Sequence, residues 1–310
     1  MEAAAAAEEE EEEAVWAWSW GAGTDGQLGN GGFQDHHLPQ PLLLPPRCRG
    51  LVSFVAGGGA HAIALTSDGE VFTWGRGTHG QLGHGDVENI PHPKLVKFFE
   101  NYMITCVSAG WNHSGFATDS GQLFMCGDGS FGQLGAGDNH PRNLPFEVAY
   151  FTTKHVVRLA LGMRHSLVLL KESGQLYIWG RALIGEHDDD QPRPVFPSLG
   201  ISQVALGWHH ALVLSESSSS STLVKVPCVD GEQVVHIAAG TEHSASVTDK
   251  GTVFTWGWGE HGQLGLGDTC DQVTPQRVNI GDKRPCSSAS VNVYCGSGFT
   301  IAVNSGLESD

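Results

Sequence analysis

Residues Trp74–Asp86 read WGRGTHGQLGHGD, and this stretch decides the fold. Gly75, Gly77 and Gly80 form a Gly-x-Gly-x-x-Gly pattern directly after the apolar run Val71–Trp74, which is the form of a dinucleotide-binding turn. A dinucleotide-binding domain uses that turn once and continues into a helix. Here the pattern continues as GQLGHGD, which contains too much glycine to propagate a helix. The pattern therefore indicates a structural turn rather than a nucleotide site.

The same turn occurs four times, and recurrence predicts a repeat architecture. The copies are at 21–26, 75–80, 127–132 and 257–262, and each runs into Gln-Leu-Gly. A second signal, Gly-x-x-His before a short apolar strand, alternates with the first. Its copies end at His61, His113, His165, His210 and His243, and a sixth copy has Phe299 in the histidine position.

The spacing of these signals is nearly constant over the first half of the chain. Trp20 and Trp74 are 54 residues apart, Trp74 and Cys126 are 52 apart, and Cys126 and Trp179 are 53 apart. Each period holds about four short β runs, and the middle runs are apolar on both faces. Four short strands per repeat, many turns and no helical pattern predict an all-β fold, a β-propeller.

Composition narrows the class further. The chain has 310 residues, 42 of them glycine. Its net charge of −17 disfavours a surface that binds nucleic acid, because such a surface needs basic residues. No run of 18 apolar residues occurs, so no membrane span is predicted. The seven cysteines show no CxxC spacing, which favours a reducing compartment, cytoplasmic and/or nuclear. We expect neither a metal nor a cofactor.

The sequence GQLGHGD after FTWG, with Ala-Gly-x-x-His-Ser upstream, resembles the regulator-of-chromosome-condensation repeat. The resemblance covers roughly residues 15–305, and residues 15–170 are similar to the secretion-regulating guanine nucleotide exchange factor branch. It implies a β-propeller, usually of about seven blades. The spacing instead predicts about six blade-equivalents, one of them truncated. Residues 15–21 and 295–303 each resemble half of one blade, so we expect the N- and C-terminal strands to pair and close the ring.

The predicted domain organisation is simple. Residues 1–14 form a disordered Ala/Glu-rich tail, residues 15–305 form one propeller, and residues 306–310 form a second tail. Residues 181–235 are the weak sector of the propeller. His210 and His243 are only 33 residues apart, against 52 between His61 and His113, and the Trp-Gly strand has no counterpart in that interval. We expect this sector to be the least stable.

Function is expected where the repeats differ. In a four-stranded antiparallel meander the first and third turns face the same side, so Gly-x-x-His and the glycine-rich loop line one rim. The predicted partner-binding rim consists of Trp111, Asn112, Arg164, Trp208, His209, Glu242, Asp25 and Asp128. The predicted structural residues are His61, His113, His165, His210 and His243, which bond turn backbone, and Trp74, Trp179 and Trp256, which anchor the core between blades.

The sequence predicts a non-catalytic, protein-binding propeller rather than an enzyme. The resemblance implies an exchange factor or regulator of a small GTPase, with the GTPase meeting this rim. Three alternatives stay open. They are a pure adaptor or scaffold in a trafficking or ubiquitin assembly, an ultraviolet-B photoreceptor-like protein, and a chromatin-associated protein. Met163 separates Trp111 from Trp208 in the repeat order, which disfavours a photoreceptor, and the negative charge disfavours chromatin.

Overall fold

The computed structural model describes residues 17–42, 44–45, 52–171, 175–181, 188–195, 201–206, 211–215, 226, 232–280 and 290–305. These residues form five four-stranded antiparallel sheets and one two-stranded sheet. Each four-stranded sheet is one blade of an all-β propeller. The described residues contain two short 3-10 turns, Lys97–Phe99 and Ala149–Phe151, and no α-helix.

Blade 1 joins the two ends of the chain, and blades 2 to 4 follow in sequence. Blade 1 contains β1 (Ala17–Gly21), β2 (His36–Pro41), β21 (Ser290–Cys295) and β22 (Phe299–Ser305). Blade 2 contains β3 (Val52–Gly57), β4 (His61–Thr66), β5 (Val71–Gly75) and β6 (Ile90–Leu95). Blade 3 contains β7 (Ile104–Ala109), β8 (His113–Thr118), β9 (Leu123–Gly127) and β10 (Arg142–Glu147). Blade 4 contains β11 (Val156–Leu161), β12 (His165–Leu170), β13 (Leu176–Gly180) and β14 (Asp189–Val195).

The remaining sheets are a short sheet and blade 5. The short sheet pairs β15 (Ile201–Leu206) with β16 (Ala211–Ser215). Blade 5 contains β17 (Val234–Ala239), β18 (His243–Thr248), β19 (Val253–Gly257) and β20 (Gln272–Arg277). The inner strand of every sheet contacts the neighbouring sheets, and the short sheet lies between blade 4 and blade 5.

The prediction of about six blade-equivalents was wrong in its count, because the described residues form five blades. The truncated unit contributes only β15 and β16 among the described residues. Its sequence explains the shortfall, since no Trp-Gly strand follows β16 before the next Gly-x-x-His. Most of the predicted weak sector, residues 181–235, lies outside the described residues, so its lower stability stays a prediction.

Pairing of the first and last strands in one blade is confirmed. β1 runs antiparallel to β22, with Ala17 opposite Val303 and Gly21 opposite Phe299. Closure of the whole ring stays a prediction. The outer strands β2, β6, β10, β14 and β20 all carry proline, which removes a backbone donor from each exposed edge.

The core lies between blades. Trp20 of blade 1, Trp74 of blade 2 and Trp179 of blade 4 are almost fully buried. Each stands at the end of the third strand of its blade, and its indole packs against the glycine-rich loop of the preceding blade. Within the described residues, no helix is long and apolar enough to cross a bilayer.

We predict that removal of residues 1–21 destabilises the protein strongly. The deletion takes away β1, which pairs with both β2 and β22, together with the buried Trp20. The loss of that side chain alone is expected to cost about 3–5 kcal/mol of unfolding free energy. Urea unfolding measures the effect, and Trp20→Ala gives a folded comparison if the deletion is insoluble. Removal of residues 1–14 is the control, and equal loss in both truncations would contradict the role of β1.

Candidate protein-binding rim

The Gly-x-Gly-x-x-Gly loops admit protein backbone rather than a pyrophosphate. A Cβ on Gly75 would lie 2.5 Å from the carbonyl oxygen of Ala60. A Cβ on Gly77 would overlap the carbonyl oxygen of Glu88. The backbone nitrogen of Gly77 also donates to Asn89 Oδ1 at 3.0 Å. The glycines therefore let the loop fold back on its own blade, which confirms the structural interpretation of the motif.

The first and third turns of each blade are hydrogen-bonded to one another. The residue after Trp-Gly or Cys-Gly donates its backbone N–H to the carbonyl of the residue before the histidine. These bonds are Arg76 to Ala60 at 2.7 Å, Asp128 to Asn112 at 2.8 Å, Arg181 to Arg164 at 2.7 Å and Trp258 to Glu242 at 2.9 Å. The two kinds of turn therefore lie on one rim, as strand parity predicted.

Three of the repeated histidines bond a hydroxyl group of the next blade instead of the turn backbone that the sequence predicted. His61 Nε2 lies 2.8 Å from Ser114 Oγ, and His113 Nε2 lies 3.0 Å from Ser166 Oγ. His243 makes the same contact with Thr300 Oγ1 at 3.0 Å. Sequence gave no direct signal for this contact, because the two partners are more than 50 residues apart in each pair.

The hydroxyl partner sets the tautomer of the histidine. Ser166 Oγ donates to the backbone carbonyl of Gln133 at 2.7 Å, and its single hydrogen is then used. His113 Nε2 must therefore carry the proton and donate to Ser166. The ring packs where a Cβ on Gly110 would stand, which explains why glycine and histidine occur three positions apart. Burial and the nearby His165 lower the pKa of His113 to about 3, and burial, His113 and Arg76 do the same for His61.

The glutamine of Gly-Gln-Leu-Gly completes each contact between blades. Its backbone carbonyl accepts the serine or threonine hydroxyl and, where tryptophan is present, the indole N–H of the next blade. Trp179 Nε1 donates to Gln133 O at 2.8 Å, and Trp20 Nε1 donates to Gln263 O at 2.9 Å. Trp74 and Trp179 are both buried and both make this contact, as expected of residues that anchor one blade to the next. Trp256 is only partly buried, because the sequence preceding its blade contains no Gly-Gln-Leu-Gly loop to cover it.

Four of the predicted structural histidines, His61, His113, His165 and His243, are buried. His210 lies outside the described residues, as do the predicted rim residues Trp208 and His209. The contact is absent where blade 1 meets blade 2, because Phe299 replaces the histidine and Ala62 replaces the serine. Phe299 and Ala62 are both fully buried.

Six predicted rim residues lie on the rim. Trp111, Asn112, Arg164 and Glu242 occupy first turns, and Asp25 and Asp128 occupy third turns. Glu242 is exposed and the other five are partly buried. The first turns of all five blades surround a small central depression whose wall includes Trp111 and Met163.

Local contacts fix several of the rim side chains. Asp25 Oδ2 forms an ion pair with Arg76 at 2.5 Å, and its Oδ1 accepts from Asn89 Nδ2 at 3.3 Å. Asp128 accepts from the backbone and hydroxyl of Ser130, both at 3.0 Å. The Arg164 guanidinium carbon lies 4.3 Å from the centroid of Phe131.

Sequence reasoning missed four aromatic or cationic residues on this rim. Arg181 also lies near Phe131, at 5.4 Å from the ring centroid. The rings of Trp258 and His261 meet edge to face at 5.1 Å. Aligning the glycine-rich loops against one another would have identified these positions, because Phe131 and His261 occupy the same place in their loops.

Comparisons with known proteins agree with this geometry. The family model of the regulator of chromosome condensation (RCC1) repeat matches residues 17–65, 68–117, 120–169 and 250–303. The chain belongs to the RCC1 repeat family. The repeats of this family form regulators and exchange factors rather than enzymes, as the sequence predicted. A second model of the same repeat matches residues 52–81, 104–133 and 234–263. The interval that neither model matches, residues 170–233, contains the short sheet.

Individual relatives point to several uses of the same repeat. The chain is 32% identical to the ultraviolet-B receptor UVR8 of Arabidopsis thaliana, over 83% of this chain and 64% of that protein. It is 31% identical to the secretion-regulating guanine nucleotide exchange factor of Bos taurus, over 83% of this chain and 51% of that protein. The chain thus spans about half to two thirds of the length of these relatives. The crystal structure of Prp20p from Saccharomyces cerevisiae shares the fold, with a TM-score of 0.71 at 20% identity over 95% of this chain and 92% of that one.

We predict that Ser166→Ala lowers the unfolding free energy by about 1–3 kcal/mol, because it leaves the buried His113 N–H without an acceptor. Urea unfolding at pH 7.5 measures the loss. Ser130→Ala is the matched control, since Ser130 is an exposed rim serine whose hydroxyl bonds only Asp128 in the described contacts. Equal stability of the two variants would contradict the structural role of the hydroxyl.

Stability is also expected to fall below neutral pH. In the unfolded chain histidine binds a proton near pH 6.5, whereas in the folded protein the pKa values of His61 and His113 are about 3. Unfolding therefore takes up protons between these limits, and stability present above pH 6.5 is lost as pH falls. The expected loss for each histidine is about 1.4 kcal/mol per pH unit well below 6.5.

Urea unfolding between pH 7.5 and 5 measures this dependence, above the range in which most carboxylates titrate. His113→Asn is expected to reduce the slope, and the exposed His92 provides the control His92→Asn. A slope that is unchanged in His113→Asn would show that the buried histidine is not its source.

Proposed function

We propose that this chain is a protein-binding propeller that docks a small GTPase on the rim formed by its first and third turns. One observation carries the proposal: the rim has a constant backbone and variable side chains. Gly59 N donates to Gly110 O and Trp111 N to Gly162 O, both at 3.1 Å, and Ser297 N donates to Gly58 O at 2.9 Å. These bonds join successive first turns into one layer, so side chains can differ from blade to blade without moving the frame.

A surface that differs at every blade suits a folded protein better than a repeated or linear ligand. The two variable positions of the first turns present Trp111 and Asn112 in blade 3, Met163 and Arg164 in blade 4, and Thr241 and Glu242 in blade 5. Aromatic and arginine side chains are the residues that anchor protein interfaces most often. Charges of both signs on the same rim supply specificity and orientation.

The choice of a small GTPase rests on family membership and on the secretion-regulating guanine nucleotide exchange factor among the relatives. An exchange factor must hold its GTPase with the nucleotide site deformed, which needs a rigid platform. The hydrogen-bonded rim provides such a platform. We place the protein in the cytoplasm or the nucleus, where small GTPases and reduced cysteines are found together.

We predict that a Trp111→Ala, Glu242→Arg double variant abolishes GTPase binding while the fold is kept. The variant removes the aromatic side chain of blade 3 and reverses the exposed charge of blade 5, and losses of about 2 kcal/mol or more are typical of such anchors. Binding of a panel of purified, nucleotide-free small GTPases is measured by biolayer interferometry. Release of fluorescent mant-GDP from the same panel tests exchange.

The control carries Asp68→Ala and Lys250→Ala in the second turns of blades 2 and 5, which are exposed on the opposite face. Retained binding in this control together with lost binding in the rim variant supports the proposal. Lost binding in the control alone would contradict the rim assignment. Binding without accelerated mant-GDP release would indicate an adaptor instead of an exchange factor.

A further inference from the structure

Two positions of the repeat meet where blade 1 contacts blade 2 and where blade 3 contacts blade 4. The first is the residue before the third glycine of Gly-x-Gly-x-x-Gly, and the second is the residue that follows Trp-Gly or Cys-Gly in the next blade. Between blades 1 and 2 these residues are Asp25 and Arg76. They form an ion pair of 2.5 Å, so the guanidinium is neutralised within the protein.

The same two positions between blades 3 and 4 hold Phe131 and Arg181. The carboxylate is replaced by a phenyl ring, and the Arg181 guanidinium carbon lies 5.4 Å from the ring centroid. A second cation joins it there, because Arg164 from the first turn of blade 4 lies 4.3 Å from the same centroid. A backbone hydrogen bond of 2.7 Å from Arg181 to Arg164 fixes the two residues relative to each other.

This cluster of Arg164, Arg181 and Phe131 differs from the described arginines that form ion pairs. Arg76, Arg142 and Arg193 each form an ion pair with an aspartate. No carboxylate among the described residues forms an ion pair with Arg164 or Arg181. The phenyl ring orients the two guanidiniums by cation–π attraction but carries no charge to neutralise them. Arg164 is partly buried and Arg181 is exposed, so both can reach a bound partner.

We propose that the Arg164–Phe131–Arg181 cluster binds the carboxylate side chains of an acidic segment in the protein partner. The guanidinium fork matches a carboxylate, and charge-assisted bonds of this kind are the strongest hydrogen bonds at protein surfaces. Two adjacent guanidiniums suit two neighbouring carboxylates. The proposal rests on the proposed function only in placing the partner on this rim.

The acidic segment belongs to the partner rather than to the chain itself. The run Glu8–Glu13 is the strongest internal candidate by charge. Gly21, at one end of β1, pairs with Phe299 beside the first turn, so that end of β1 lies at the rim. Ala17 is at the opposite end of β1, and the glutamate run precedes Ala17 in the sequence. Blade 1 also packs against blades 2 and 5, not against the blades that hold the cluster.

A fluorescein-labelled hexaglutamate peptide serves as the probe, and its fluorescence anisotropy is measured with the full chain at low ionic strength. We expect saturable binding with a Kd below about 1 mM, and none for hexaglutamine. Because the chain carries a net charge of −17, general attraction cannot produce this binding. Phe131→Asp places a carboxylate beside Arg181, as Asp25 does beside Arg76. This variant is therefore expected to weaken peptide binding by about tenfold or more.

His79→Asp is the matched control. His79 occupies the position of Phe131 in the preceding loop, where the facing residue is Asp128 rather than an arginine. The two variants have the same added charge, but only Phe131→Asp places it beside guanidiniums. Arg164→Gln with Arg181→Gln is expected to lose binding as Phe131→Asp does. Equal peptide affinity in Phe131→Asp and His79→Asp would overturn the proposal.

Two further arms test the identity of the occupant. In the first arm, inorganic phosphate competes with the peptide. If phosphate displaces the peptide at equal concentration, the cluster is a general anion site and the assignment to carboxylates is overturned. In the second arm, Glu8–Glu13 are replaced with glutamine. If the affinity for the peptide then rises about tenfold or more, the chain's own tail occupies the cluster. Peptide binding that depends on Phe131 stands even if no GTPase binds the rim. If a GTPase binds the rim but the peptide does not bind, the proposed function stands and the inference about the arginine cluster is overturned.

Discussion

One backbone carbonyl at each contact between blades holds this propeller together. The glutamine of each Gly-Gln-Leu-Gly loop presents that carbonyl to the next blade, where it accepts from an indole, a hydroxyl or both. Trp74 Nε1 donates to Gln27 O at 2.9 Å, and Thr300 Oγ1 donates to Gln263 O at 2.8 Å. The glutamine side chain in turn accepts a backbone N–H two residues earlier and holds the loop closed, as at Gln133, where the bond measures 2.8 Å. A buried carbonyl must be satisfied, so loop and donor have to recur together.

Where this contact between blades is missing, the same constraint applies, because the donor and the acceptor are missing together. Phe299 has no proton to donate, and its facing residue is Ala62, which has no hydroxyl to accept one. An unpaired buried histidine or serine would cost more than the apolar pair that replaces them. After blade 4 the loop itself is missing from the sequence, and Trp256 stays partly exposed where the corresponding tryptophans are buried. The short sheet therefore marks the place where this contact between blades is not built.

Sequence alone determined the fold class, the structural role of the glycines and the common rim of the first and third turns. It could do so because each of these depends on local spacing, which repeats visibly along the chain. The histidine partners and the neutralisation of Arg76 were not predictable in the same way. Each depends on two residues about one repeat apart, such as His113 with Ser166, and only the register between blades brings them together. The count of six followed from the spacing of the repeat signals, but a Gly-x-x-His signal without a Trp-Gly strand after it does not supply a complete blade.

The two kinds of contact between blades differ in how freely evolution can change them. The carbonyl contact is buried, and removing one of its members leaves an unsatisfied group, at a cost of about 1–3 kcal/mol. The Asp25–Arg76 pair is partly exposed, and ion pairs of this kind contribute only about 0–1 kcal/mol. Replacing the aspartate with Phe131 at the equivalent position therefore costs little stability, yet among the described residues it places a ring without charge beside the guanidiniums of Arg164 and Arg181. A propeller built this way can acquire a new binding surface at a loop position while the buried contacts that define its fold stay unchanged.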